Sequence, residues 1–225
     1  MKPRIAILAA LPREITPLIK DWPVRTNLRS EGILIAECDR AIVVCAGMGR
    51  ERITRALEIA ETRGPLRIVL SVGYAGGLHR GVPRNSLSWP AIVIDACTGE
   101  RFACQAGSGT LVTTDHIADH IEKPLLAERW HADLVDMEAA TVARLAQVRG
   151  LPFRTLRVVT DESAEVLPEL NRFTSAHGGF REVAFAGYVA LRPWMIPMTI
   201  RIGLHATQAS HRMAKALSEF LEQAE

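Results

Sequence analysis

Ile5 to Leu11 is an unbroken apolar run that stops at Pro12, and the unit it opens, a buried strand, a tight turn and a helix, recurs along the chain. Proline is at home in a first helical turn, so a helix is predicted from Pro12 to about Lys20. Gly32 to Ala36 and Arg40 to Cys45 read as a β pair, and Ala46-Gly47-Met48-Gly49 leads from the second of these into an amphipathic helix over Arg50 to Arg63. Arg67 to Val72 is a further buried strand, ended by Gly73-Tyr74-Ala75-Gly76-Gly77. Strands and turns follow to Thr114, then a helix over Pro124 to Trp130, a short strand at Asp133 to Asp136, a helix from Glu138 to Arg149 and a strand from Phe153 to Thr160. Such alternation predicts a three-layer α/β/α sandwich, and the extra hairpins make its central sheet mixed.

The chain has 225 residues, enough for one large domain spanning 1–225 with a helical tail from about 181 to 225. A formal charge of +2 with only 5% aromatic residues gives no basic, aromatic-rich face, which argues against nucleic acid as a partner. Cys38, Cys45, Cys97 and Cys104 show neither a CxxC pair nor histidines at metal spacing, so reduced, buried thiols and no metal are expected. The apolar run at Ile5 is too short for a secretory h-region, and no uncharged apolar stretch is long enough to span a bilayer. A cytoplasmic protein is expected.

Three acids stand at the ends of apolar strands: Glu14, Glu138 and Asp161. In an open α/β sheet the carboxyl ends of strands form the rim where ligands collect, so all three fall on one rim. Each also has a plain structural explanation. Glu14 and Glu138 suit a helix first turn, where negative charge meets the dipole favourably, and Asp161 suits a helix cap. His116 alone reads as structural, and Arg13, Arg50 and Arg80 as surface arginines, although together they leave a phosphate pocket open.

The segments Ala10-Leu11-Pro12-Arg13-Glu14, Ala46-Gly47-Met48-Gly49, Gly73-Tyr74-Ala75-Gly76-Gly77, Val135-Asp136-Met137-Glu138-Ala139 and Val158-Val159-Thr160-Asp161 resemble, in order, those of the nucleoside phosphorylase and nucleosidase superfamily. The resemblance covers roughly residues 5 to 165. It implies the nucleoside phosphorylase fold, a nucleoside as small-molecule partner, a homo-oligomer and no cofactor, with phosphate as co-substrate only in a phosphorylase. Asp161 would then be the acid at the leaving base, which must carry a proton and so calls for a buried setting. Glu138 would accept from the ribose 2′ and 3′ hydroxyls, with Met137 packed on the sugar. Gly76, Gly77 and Tyr74 would border the substrate, and Ile117 and Ala118 the base. Glu14 matches the glutamate with which nucleosidases of this superfamily activate water, and its charge repels phosphate, so hydrolysis is the favoured reaction.

Tyr74 departs from the family pattern, since nucleosidases carry serine there, and this puts the ordinary methylthioadenosine substrate in doubt. A looser likeness, through Glu122-Lys123, Leu126-Ala127-Glu128-Arg129 and Leu191 to Pro197, is to the hopanoid-associated phosphorylases, which implies a large hydrocarbon at the ribose 5′ end. From Val183 through Ser218 there is no acidic residue, while Arg192, Arg201, Arg212 and Lys215 accompany Trp194, Met195, Ile196, Met198 and Ile200. Such a tail suits peripheral contact with an anionic membrane, or packing in the core or a subunit interface. A phosphorylase and a non-catalytic nucleoside-binding protein remain as alternatives to the hydrolase, whereas a dinucleotide-binding dehydrogenase lacks its GxGxxG after the first strand.

Overall fold

The computed structural model describes residues 2–28, 32–165, 173, 188 and 196–223. Strand β1 (Arg4–Ala9) is buried along its whole length, and its period of two divides the core. Ala6 and Leu8 face one apolar layer, Ile5, Ile7 and Ala9 the other. The first layer is covered by α2 (Arg50–Thr62) and α4 (Ala139–Val148), through Ile53, Ala56, Leu57, Val142, Ala143 and Ala146. The second is covered by α1 (Pro12–Ile19) and by α5 (Ile196–Gln223), which contributes Ala209, Met213, Leu217 and Leu221. The fold is therefore the three-layer α/β/α sandwich that the sequence predicts.

The sheet is mixed. Strand β4 (Ala41–Cys45), β1, β5 (Leu66–Gly77) and β11 (Phe153–Asp161) run parallel in that order. β2 (Val24–Leu28), a strand the sequence reading does not anticipate, and β3 (Ile33–Glu37) extend that edge in antiparallel fashion. β6 (Leu87–Ser88) adds an antiparallel pair to β11. On the far side lie β7 (Ile92–Asp95), β8 (Arg101–Ala103), β9 (Thr110–Thr113) and β10 (Leu134–Asp136), with α3 (Glu122–Trp130) packed against them.

β5 joins the two parts. It is predicted to stop at Val72, yet it stays extended through the glycines, because its end is paired twice: Gly76 lies opposite both Asp161 of β11 and Val135 of β10. Two strands meeting one residue leave little room for a side chain. A Cβ on Gly76 would sit 3.0 Å from Asp161 Oδ2, 3.1 Å from Lys123 Cε and 3.2 Å from Val135 Cγ1.

The apolar stripe of α5 from Ala209 to Leu221 is in the core, while Ile200 and Leu204, at 58% and 60%, are exposed. Trp194 and Met195 lie outside the described residues. The cysteines are all free, and Cys45 is buried as expected, but Cys97 is exposed and Cys38 and Cys104 are half-buried. No helix among the described residues is long and apolar enough to cross a membrane.

Candidate active site

Glu14, Glu138 and Asp161 line one cavity of about 190 Å³ at the carboxyl ends of the parallel strands. Tyr74, Gly76, Met137, Ile117 and Ala118 line it as well. Gly77 does not. It pairs with Leu134, and a Cβ there would meet the Val82 carbonyl oxygen at 3.0 Å, so that glycine serves strand packing.

Glu14 is held at the start of α1. Its Oε2 accepts from the backbone N–H of Ala10 at 3.0 Å and of Leu11 at 2.8 Å, and its Oε1 accepts from Tyr74 N–H at 3.3 Å. The helix-start role and the cavity position thus coexist. Burial raises its pKa above the usual carboxylate value, and the Leu11 and Tyr74 N–H groups, with the charges of Arg157 and Arg13, pull the other way. Three of about four lone-pair positions are taken by N–H donors, which leaves one for a water in the cavity.

Glu138 stands between β10 and α4, where its Oε1 accepts from Gly49 N–H at 3.1 Å. Burial and the neighbouring Asp136 charge push its pKa up to about 8. Beneath it Asp136 binds Arg157 through the guanidinium Nη2 at 2.5 Å and Nε at 3.1 Å, with both side chains 1% exposed. Asp136 also accepts from Thr113 Oγ1 at 2.5 Å and from the N–H of Ala139 at 2.9 Å. Arg157 donates to Ser71 Oγ at 2.7 Å. This buried network ties β5, β9, β10 and β11 together under the cavity floor.

Asp161, the last residue of β11, is half-buried and has a charged partner. Its Oδ2 is ion-paired with Lys123 Nζ, and its Oδ1 accepts from Thr160 Oγ1 at 2.8 Å. The Tyr74 hydroxyl shares a 2.7 Å hydrogen bond with Ser210 Oγ and donates to Ala206 O at 3.2 Å, so the phenol docks on α5. Arg13 lies over its ring, 5.5 Å from the centroid. Of the arginines that left a phosphate pocket open, only Arg13 lines the cavity; Arg50 is paired with Asp95 at 3.0 Å. His116 is on the cavity wall, between Asp115 at 2.7 Å and Glu122 at 2.8 Å. No cluster of three metal-ligating side chains occurs among the described residues.

Sequence reasoning misses Lys123 and Arg157 as site residues. Arg157 carried a readable signal, a guanidinium within the otherwise apolar run Leu156 to Val159. Lys123, in a helix first turn, carried none beyond its place in the looser resemblance.

Residues 93–184 match the family model of the phosphorylase superfamily. The fold is shared with a Helicobacter pylori 5′-methylthioadenosine nucleosidase variant holding 5′-methylthioadenosine in its active site, at TM-score 0.73 and 18% identity over 99% of this chain and 100% of that one. It is shared with the futalosine hydrolase of Helicobacter pylori at TM-score 0.70 and 17% identity, over 98% of each chain. The apo 5′-methylthioadenosine nucleosidase of Arabidopsis thaliana matches at TM-score 0.69 and 17% identity, over 96% of this chain and 93% of that one. No curated protein sequence matches the chain.

Proposed function

We propose that the protein cleaves the N-glycosidic bond of a 5′-substituted adenosine and releases adenine by hydrolysis. The observation that carries this reading is the convergence of Glu14, Glu138 and Asp161, from three distant segments, on one cavity. Breaking the bond builds positive charge on the ribose and negative charge on the base, so carboxylates suit the sugar side and a proton donor the base side. Glu138, with one N–H partner, keeps lone pairs for two ribose hydroxyls. Glu14, with one position left, takes a proton from the attacking water, and burial, which raises its pKa, makes it a stronger base than an exposed carboxylate. Asp161 serves the leaving base.

Hydrolysis is favoured over phosphorolysis because the cavity is lined by Glu14, Glu138 and Asp161, with Lys123 already paired to Asp161 and Arg13 the one arginine among the described lining residues, a poor cradle for a phosphate dianion. The 5′ substituent in this reading is apolar, adenosylhopane-like or methylthioadenosine-like, since Leu11, Met48 and Ala206 contribute to the remaining wall. The test is adenine release from 5′-methylthioadenosine and from adenosines with longer 5′ hydrocarbon groups, with and without phosphate. Release independent of phosphate is the expected result. A rate that rises with phosphate would replace hydrolysis by phosphorolysis, and binding without release would make the protein a nucleoside-binding module.

A further inference from the structure

The side chain of Lys123 is 1% exposed, and among the described residues its ammonium contacts Asp161 Oδ2, as an ion pair, and Glu162 O, through a 3.0 Å hydrogen bond that it donates. Burying an ammonium carries a desolvation cost that pairing only partly offsets, and apolar replacements of such pairs are often no less stable. Stability is therefore a weak reason for a lysine here. The surroundings are shaped for it: Gly76 leaves the space that a Cβ, 3.1 Å from Lys123 Cε, would close. Among the described residues the other buried cation beside the acids, Arg157, is committed to Asp136. Lys123 is thus the cation at the one carboxyl that the reaction needs to act as an acid.

We infer that Lys123 is a proton reservoir for the departing base, acting through Asp161. The inference rests on the glycosidic reading above. As the bond between the base nitrogen and ribose C1′ breaks, its electron pair goes to the base; the Lys123 ammonium passes a proton to the Asp161 carboxylate, which hands it to the base ring nitrogen, so that Lys123 is left as the amine and Asp161 as the carboxylate. Water bonds to C1′ and passes a proton to Glu14. Lys123 recovers its proton, and Glu14 releases its own, through bulk water as products leave, so the net reaction is nucleoside plus water to adenine plus the free pentose. Asp161 alone, ionised and without this reservoir, would have nothing to donate.

Two probes separate this role from structural support. 5′-Methylthioadenosine has a leaving group that needs the proton, whereas 4-nitrophenyl β-D-ribofuranoside expels a phenolate that does not. Lys123→Gln is expected to lower the ratio of kcat on the first to kcat on the second by on the order of 100-fold, the scale of one general-acid contribution. KM for 5′-methylthioadenosine should change little, and Lys123→Arg should restore only part of the ratio. Equal loss on both probes would reduce Lys123 to a packing residue, and no loss on either would remove it from the reaction; both overturn the relay. If the unaltered protein cleaves neither probe, the glycosidic reading itself fails and the relay falls with it.

Discussion

Asp161 and Glu138 are both carboxyls on one cavity wall, but their partners set them different tasks. Asp161 is tied to an ammonium, Glu138 to a single backbone N–H and to the repulsion of Asp136. Asp161→Asn keeps the shape and removes the transferable proton, so kcat for adenine release should fall by roughly 10²–10⁴ with KM within a few-fold. Steady-state kinetics decide it, and parallel losses in kcat and affinity would make Asp161 a binding group. The acids were legible in the sequence because each ends an apolar run, and such ends share a rim in an α/β sheet. Lys123 was not legible, since a lysine in a helix first turn ordinarily points to solvent. Its place beside Gly76 and Asp161 is set by the tertiary structure, and contacts between residues distant in sequence leave no local pattern.

Among the elements, β5 shows what the sequence can and cannot tell. Its buried run was plain, but the glycines after Val72 read as a loop, because glycine weakens a strand in isolation. Pairing with both β10 and β11 overrides that preference at Gly76. Gly76→Ala places a methyl 3.0 Å from Asp161 Oδ2 and 3.2 Å from Val135 Cγ1. Thermal unfolding should show a loss of about 1–3 kcal/mol from overpacking, with turnover falling further than stability accounts for. Unaltered turnover would mean that the Lys123–Asp161 pair tolerates displacement. α5 offers a further lesson, for the sequence reading singles out the apolar groups at its start, Ile196 to Ile200, whereas the stripe that enters the core runs from Ala209 to Leu221. Leu217, fully buried on α5, is core, so Leu217→Ala should cost about 2–5 kcal/mol in chemical denaturation. A value near zero would detach α5 from the fold.

Over the whole molecule, near-neutral net charge conceals an interior that holds Glu14, Asp136 and Glu138 close together, with Arg157 bonded directly only to Asp136 among them. Glu138 has a pKa of about 8 in the folded chain against an ordinary 4.5, and burial raises Glu14 in the same direction. Between those two values the folded chain holds protons that the unfolded chain has released, so the stability of the ligand-free protein should decline as pH rises from 4.5 to about 8 and then level off. Ribose hydroxyls would supply the donors that burial has taken from Glu138, so nucleoside binding should favour its ionised form and release protons across the same window. Glu138→Gln removes the titration and most of the affinity for the sugar together. Melting temperatures of the two proteins should therefore converge at acidic pH and diverge above neutrality, with the variant more stable and less able to bind. That combination is common where a site keeps a charge its fold would do better without. Parallel melting curves at every pH would show that Glu138 does not take up its proton on folding.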